Sequence, residues 1–466
     1  MCSDSARSGG STGGAPERVA EPVGVLGVGV EGRATLAYLA RCGVRDVVAL
    51  DRRPIELELA GVERIWGDGY DRNLDRFATV FRSPSVRPDH PELERARRAG
   101  TRVTSATEHF LERCPCPVAG VTGTVGKGTC ASLVAACLGA AGFEAHLGGN
   151  IGTSPLEFLD RVEARHRAVL EVSSFQAMDL AVSPPVAVVL KTTSEHLDWH
   201  ADTAEYLEAK AGLVRNQRSG DALIHHADSA GAARVAGRSP ARPVAYSVRR
   251  ALEQGLFLDD RGFVLWEGGE ALRLPLDVGR VRLAGRFNLE NVGAAVLAAR
   301  ALGADLEPAC RAAERFESLP HRLELVCERG GVRFVNDSYA TRPEAAVAAL
   351  GAFAGPLALV MGGSEKHADF GELVAAVRER GGVAHVSLIG ATAERLERAL
   401  ARGGPVDFAV ERHADMEPAV QAAARAVAGG GTVLLAPACA SFGLFPNYKV
   451  RGERFRAAAR AICDLL

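Results

Sequence analysis

Val118-Ala119-Gly120-Val121-Thr122-Gly123-Thr124-Val125-Gly126-Lys127-Gly128-Thr129 is the stretch on which the fold of this chain turns. Its first four residues predict a buried strand, residues 123–129 a loop, and Cys130–Leu138 the helix that follows. Glycines let successive backbone N–H groups face one point, the helix N-terminus adds positive potential there, and Lys127 supplies a mobile cation. That combination is a cradle for a nucleoside triphosphate, with Gly123, Thr124, Gly126, Lys127, Gly128 and Thr129 as its contacts. Gly128 stands where such loops carry a hydroxyl directly after the lysine, so Thr129 becomes the expected Mg2+ ligand. An ordinary glycine-rich turn with a surface lysine is the competing reading.

Working outward, the strand Ala168–Leu170 runs into Glu171-Val172-Ser173-Ser174-Phe175-Gln176, and Val186–Leu190 runs into Lys191-Thr192-Thr193-Ser194-Glu195-His196. Ligands of doubly wound sheets sit at the carboxyl ends of the strands, which places Glu171 and His196 beside the phosphate loop as Mg2+ ligands. Lys210, in the expected helix Ala204–Arg215, reads on residue physics alone as a solvated lysine. Asn288 and Asn291 share a helix face at i,i+3 and either offer amides to a nucleotide or cap that helix. Upstream, Gly27-Val28-Gly29-Val30-Glu31-Gly32 follows a strand, precedes the expected helix Arg33–Arg41, and is followed roughly twenty residues later by Asp51. This is the dinucleotide fingerprint, so a nicotinamide-dependent oxidoreductase competes as a reading. Because a separate triphosphate loop is already present, a diphosphate-sugar nucleotide is the more economical ligand, with Asp51 on a ribose hydroxyl and Arg52 and Arg53 on phosphate or uracil.

Across all 466 residues, short apolar or β-branched runs alternate with Ala/Leu/Arg-rich helical stretches, which predicts an α/β chain of parallel sheets covered by helices. The strand-loop-helix pattern starts three times, dividing the chain into 22–112, 113–320 and 321–466 behind a Ser/Gly-rich disordered leader at 1–21. Lys plus Arg number 55 against 57 Asp plus Glu, and the formal net charge of -2 excludes wholesale recruitment of nucleic acid or an anionic membrane. Ten cysteines without a Cys-x-x-Cys pair read as reduced thiols of a cytoplasmic protein. The uncharged run Ala426–Tyr448 is broken by Gly429, Gly430, Gly431, Pro437 and Pro446, so it reads as strand plus loop and not as a membrane span.

The remaining specific segments are Gly-Asn-Ile-Gly at 149–152, Glu-Val-Ser-Ser-Phe-Gln at 171–176, Leu-Pro-His-Arg-Leu-Glu at 319–324, Asn-Asp-Ser at 336–338 and Pro-Ala-Cys-Ala-Ser at 437–441. Together, and in order from residue 22 to 466, they make the chain resemble the Mur ligase superfamily, the ATP-dependent amide-forming enzymes of peptidoglycan assembly. Within it the resemblance is to the branch that adds glutamate to UDP-N-acetylmuramoyl-L-alanine. It implies a Rossmann-like N-terminal domain for the UDP-sugar, a central P-loop ATPase domain and a C-terminal dinucleotide-fold-like domain that closes over ATP. The UDP-sugar contacts would be Gly29, Val30, Glu31, Asp51 and Arg52, with Asn150, Ser173 and Gln176 near the muramoyl-alanine and the metal. Lys127, Glu171, His196 and Lys210 would carry the catalysis, and Thr129, Glu171, His196 and a carbamylated Lys210 would serve two Mg2+ sites. Arg322 and Asp337 would join Asn288 and Asn291 as nucleotide contacts, and Thr341, Lys366, Ser441, Phe442 and Tyr448 would form the glutamate pocket.

The chemistry so implied is phosphoryl transfer to the alanine carboxylate, then capture of the acyl phosphate by the glutamate amine. The resemblance further implies a cytoplasmic monomer that handles small-molecule substrates, without nucleic acid or membrane insertion. Several positions depart from the glutamate-adding pattern. Gly128-Thr129 looks more like folylpolyglutamate synthetases, Phe287 replaces a frequent histidine, Tyr339 a lysine, Arg342 an asparagine, and Phe442-Gly443 a leucine-aspartate pair. Those at 339, 342, 442 and 443 fall around the expected amino-acid pocket and bear on the stereochemistry, so L-glutamate stands as the alternative to the favoured D-glutamate. A non-catalytic nucleotide-binding relative is the remaining one.

Overall fold

The structure is a computed structural model that describes residues 19–365, 368–402 and 404–465. The expected leader lies almost wholly outside the described residues, and so does Lys366. Three sheets follow one another along the chain. The first holds β1 (Val23–Leu26), β2 (Val47–Asp51), β3 (Glu63–Trp66), β4 (Thr79–Arg82) and β5 (Arg102–Thr104), all parallel, in the order β3-β2-β1-β4-β5. β1 is buried along its whole length, which is why it reads as an unbroken apolar run and not as alternation.

In the second sheet, β6 (Val118–Thr122), β7 (Ala145–Gly149), β8 (Arg167–Glu171), β9 (Val186–Val189), β10 (Ala222–His226), β11 (Arg242–Ser247) and β12 (Gly255–Asp259) pair in parallel. The expectation of an all-parallel sheet fails at one edge. There β13 (Gly262–Glu267) and β14 (Glu270–Arg273) run antiparallel, giving the order β14-β13-β12-β11-β10-β9-β6-β8-β7. The connections are too short for a crossover, and Gly268 and Gly269 supply the positive φ values, 64° and 87°, of a two-residue hairpin turn. β6 lies between β8 and β9, and its register pairs Val121 with Glu171 and Thr122 with Val189. Three strand ends therefore open at one level, next to the phosphate loop.

The helix after β6 spans Lys127–Ala140, three residues longer at its start than the sequence pattern suggests. Gly126, at φ 90°, makes the turn and serves as N-cap, so Lys127 is the first helical residue. This helix packs on Arg286–Ala301, whose first turns thereby reach the loop.

The third sheet orders β15 (Glu324–Arg329), β16 (Val332–Asn336), β17 (Leu357–Gly362), β18 (Val383–Ile389), β19 (Ala409–Arg412) and β20 (Gly431–Leu435) as β15-β16-β20-β17-β18-β19. All its pairs are parallel except β15-β16, a hairpin the sequence reading did not foresee. Cys327 on β15 and Cys463 in the final helix, Tyr448–Leu465, form a disulfide, which corrects the expectation of ten reduced thiols. Packing of that helix on β15 brings the two Cα atoms, 136 residues apart in sequence, to 6.8 Å, a proximity that cysteine spacing does not reveal. Among the described residues no helix is long and apolar enough to cross a membrane, and the uncharged run from Ala426 resolves into β20 and loop.

Candidate active site

A cavity of about 770 Å³ opens where the carboxyl ends of β6, β8 and β9 meet the third sheet. Its floor is the phosphate loop. Gly126 cannot be replaced without cost, since a Cβ there would strike Asn291 Oδ1. A Cβ on Gly128 would lie 2.9 Å from Glu171 Oε2 and 3.2 Å from Arg322 Nη2. The acid and the arginine thus close in on the position after the lysine, and a side chain there would have to displace the ends of both. Lys127 Nζ donates to the Gly123 and Thr124 carbonyls at 3.0 and 2.9 Å, and burial lowers its pKa against the pull of Glu195 and Glu171. Thr124 Oγ1 accepts from the Thr193 N–H at 2.9 Å and meets Tyr206 Oη at 3.0 Å, tying the loop to the end of β9.

Glu171 is buried at the end of β8. Its Oε1 accepts from Asn150 Nδ2 at 2.7 Å, while Oε2 is buried without a hydrogen-bond partner. An orphaned carboxylate oxygen next to the Thr129 segment and a helix N-terminus suits a hard divalent cation, and a Mg2+ ion fits this donor set. His196 follows β9 in the left-handed region, φ 57°, with its ring edge-on to Phe175 at 4.8 Å. Its Nε2 is 3.6 Å from Glu195 and its Nδ1 is 3.5 Å from Arg342, and burial lowers its pKa, which keeps the ring neutral.

Lys210 overturns the expectation of a solvated lysine. It is 1% exposed in the helix Thr203–Ala211, its Nζ donates to Gly123 O at 2.9 Å, and it lies 4.6 Å over the Tyr206 ring. Burial, then the nearby Lys127, pushes its pKa well below the ordinary lysine value. Asn291 donates to Asn288 at 3.0 Å, and the N-cap of their helix is Gly285, so both amides line the cavity and neither caps the helix.

From the third sheet come Arg322, stacked 3.8 Å over Tyr339, and Asp337, whose Oδ1 accepts from the Leu323 N–H at 3.1 Å. Burial raises the Asp337 pKa to about 7. Thr341 and Arg342 line the same cavity, and Arg342 reaches Glu195 at 3.6 Å across the boundary between the second and third sheets. Glu195, Tyr206 and this role of Arg342 escaped the sequence reading, although Glu195 stands directly beside His196 at a strand end. Ser441, Phe442 and Tyr448 do not line the cavity; Ser441 is buried, Phe442 is exposed, and Tyr448 packs edge-on against Tyr339 at 5.0 Å.

The N-terminal glycine loop forms a separate surface. Asp51 Oδ2 accepts from the Val28 N–H at 2.7 Å and Oδ1 from Arg53 N at 3.0 Å, so this acid also holds the loop itself. Gly29 and Val30 are exposed there, as is Arg52, and none of the three lines the cavity. Glu31 is the link between the two regions, since Gln176 Nε2 donates to it, and burial raises the Glu31 pKa. Gln176 Oε1 accepts from Ser173 N at 2.9 Å while Ser173 Oγ accepts from Gln176 N at 3.3 Å, a capping box that orients both side chains.

Residues 121–299 match the Mur ligase middle domain, and 321–439 match the Mur ligase glutamate ligase domain. A protein of Symbiobacterium thermophilum named "UDP-N-acetylmuramoylalanine--D-glutamate ligase" is 38% identical over 457 residues, covering 96% of this chain and 99% of that protein. The chain belongs to the Mur ligase family. A Geobacter metallireducens protein of the same name is likewise 38% identical, over 94% of this chain and 97% of its own length. Among solved structures, the UDP-N-acetylmuramate-alanine ligase of Thermotoga maritima superposes with a TM-score of 0.59 at 17% identity, over 94% of this chain and 99% of that one. The pseudomurein peptide ligase type C of Methanothermus fervidus does so at 0.58 and 17% over the same shares. These establish the three-domain α/β Mur-ligase fold. As a Mur ligase the chain is an ATP-dependent amide-bond-forming enzyme, so the oxidoreductase and the non-catalytic readings both fall.

Proposed function

We propose that this chain joins D-glutamate to UDP-N-acetylmuramoyl-L-alanine, using ATP and passing through an acyl phosphate. The observation that carries the reading is the convergence, on one cavity, of a phosphate-binding helix N-terminus, an orphaned carboxylate oxygen and Thr341 and Arg342 of the glutamate-ligase domain. The relatives that cover nearly the whole chain carry D-glutamate in their names, which supports the D enantiomer despite Tyr339, Arg342 and Phe442.

The loop N–H groups and Lys127 bind the triphosphate, with Asn288, Asn291, Arg322 and Asp337 around the nucleotide. Thr129, Glu171 and His196 would hold Mg2+, which supplies charge neutralisation when bound. Gly29, Val30, Glu31, Asp51 and Arg52 bind the UDP-sugar, and Asn150, Ser173 and Gln176 pass it to the cavity. The alanine carboxylate attacks the γ-phosphorus in line, the bond to the β-phosphate oxygen breaks, and ADP leaves. The glutamate amine then adds to the acyl carbonyl and expels inorganic phosphate, while neutral His196 and the loop amides steady the oxyanion. Thr341 and Lys366 hold glutamate, and the third domain excludes water from the acyl phosphate. Burial disfavours the charged form of Lys210 and so favours the amine that adds CO2 with loss of a proton, and the resulting carbamate would serve a second Mg2+.

Phosphate release should require ATP, UDP-N-acetylmuramoyl-L-alanine and D-glutamate together, with L-glutamate much poorer. Equal release without any glutamate, or a dipeptide product formed preferentially from L-glutamate, would contradict the proposal.

A further inference from the structure

The outer edge of the third sheet gathers a second set of donors, remote from the catalytic cavity. His385 and Ser387 on β18 share one face at the strand period of two, and the register pairing Ser387 with Glu411 on β19 places Glu411 and then His413 on it too. The helix Met416–Ala426 packs on this face. One imidazole nitrogen each from His385 and His413 and one carboxylate oxygen of Glu411 lie within 4.8 Å of one another. We propose that His385, Glu411 and His413 bind one divalent transition-metal ion of the zinc class, with a fourth position left to water.

Hydrogen bonding fixes the tautomer that such a site needs. Ser387 Oγ donates to Ala419 O at 2.8 Å, so it accepts from His385 Nε2, 3.0 Å away. The proton then sits on Nε2 and Nδ1 presents a lone pair, which is how a partner behind the ring prepares a metal-ligating histidine. His385 is 3% exposed, and His413 Nε2 is buried without a hydrogen-bond partner. Glu411 stands 3.7 Å from His413 with its side chain 55% exposed, free to rotate. Tetrahedral ligands at about 2.0–2.1 Å from zinc stand roughly 3.4 Å apart; the Glu411–His413 pair at 3.7 Å is close to that, and the 4.8 Å bound on the trio leaves at most about 1.4 Å for the ligands to close. Burial holds both histidines below their ordinary pKa, and Arg425 adds to this while Glu411 opposes it.

The comparable cluster of Glu144, His146 and His166 fails the same test. His166 Nδ1 accepts the Glu163 N–H at 3.1 Å and faces His146 Nε2 at 3.0 Å. Its ring proton is therefore on Nε2, directed at Glu144 3.3 Å away, and no lone pair is left for a metal.

Calorimetric titration of the full metal-stripped chain with Zn2+, in excess Mg2+, should show one equivalent bound. Glu411→Gln and His413→Gln, both at the exposed side, should each weaken binding at least tenfold, and Ser387→Ala about tenfold through loss of the supporting partner. His166→Gln should bind as the parent does. Co2+ should give the visible absorption of a tetrahedral site, lost in the same variants, and circular dichroism of Glu411→Gln verifies that the chain is folded. Zinc affinity unchanged within twofold in both Glu411→Gln and His413→Gln, or abolished instead by Glu171→Gln, would overturn the site.

Discussion

Replacing Asp337 by asparagine should stabilise the third domain, and by more at high pH than at low. Burial raises this carboxyl from its ordinary 3.8 to about 7, with the Leu323 N–H and Arg322 pulling the other way. Between those pH values the folded chain keeps a proton that the unfolded chain has released, so stability falls as pH rises. The favourable contribution is complete below about pH 4 and is gone once the pH has passed through about 7. Each pH unit of difference corresponds to about 1.4 kcal/mol, so the full penalty is on the order of 4 kcal/mol, of which about 3 kcal/mol develops between pH 5 and 8. Asparagine cannot ionise, and its Oδ1 still accepts the Leu323 N–H that Asp337 holds at 3.1 Å. Urea unfolding followed by circular dichroism, on parent and variant at pH 5 and pH 8, isolates the effect, because the other titrating groups cancel in the difference. A parent–variant difference constant to within about 0.5 kcal/mol over that range would refute the reasoning, since it would mean the acid is not held protonated.

Gly126→Ala places a Cβ at φ 90° and against Asn291, costing about 1–2 kcal/mol in backbone strain alone, so ATP binding should weaken by tenfold or more. Adding Asn291→Ala should recover part of that loss in a nucleotide-binding titration; no recovery would assign the defect elsewhere. Lys210→Ala should abolish turnover, and acetate or formate should restore part of it by supplying the missing anion, whereas no restoration at any concentration would argue against the carbamate. Arg342→Ala should barely move the melting temperature, because its pair with Glu195 is half exposed and worth under about 1 kcal/mol. It should nevertheless lower kcat/KM at least about tenfold through loss of a cation beside the transferred phosphoryl group, and an unchanged kcat/KM would remove Arg342 from the site.

What could be read from the residues alone was whatever depends on near neighbours in the chain. The strand before Gly123, the glycine turn and the helix after it are a local pattern, because backbone freedom and hydrogen-bond supply act over a few residues. Glu171 and His196 were legible for the same reason: one ends a buried run and the other lies in the loop that directly follows one, and strand ends share an edge. The β15-β16 and β13-β14 hairpins were missed because short edge strands carry weak alternation, even with paired glycines between them.

The linear chain by itself determined the α/β class, the three successive sheets and the triphosphate loop, since periodicity and glycine chemistry are properties of short segments. Packing alone decided that Lys210 faces inward to a carbonyl of the loop, that Glu171 and Arg322 close in on Gly128, and that Arg342 meets Glu195. It also joined Cys327 to Cys463 and aligned His385 with His413. Those partners stand far apart in the chain, and only strand register and the burial of helices on sheets set the distance between them.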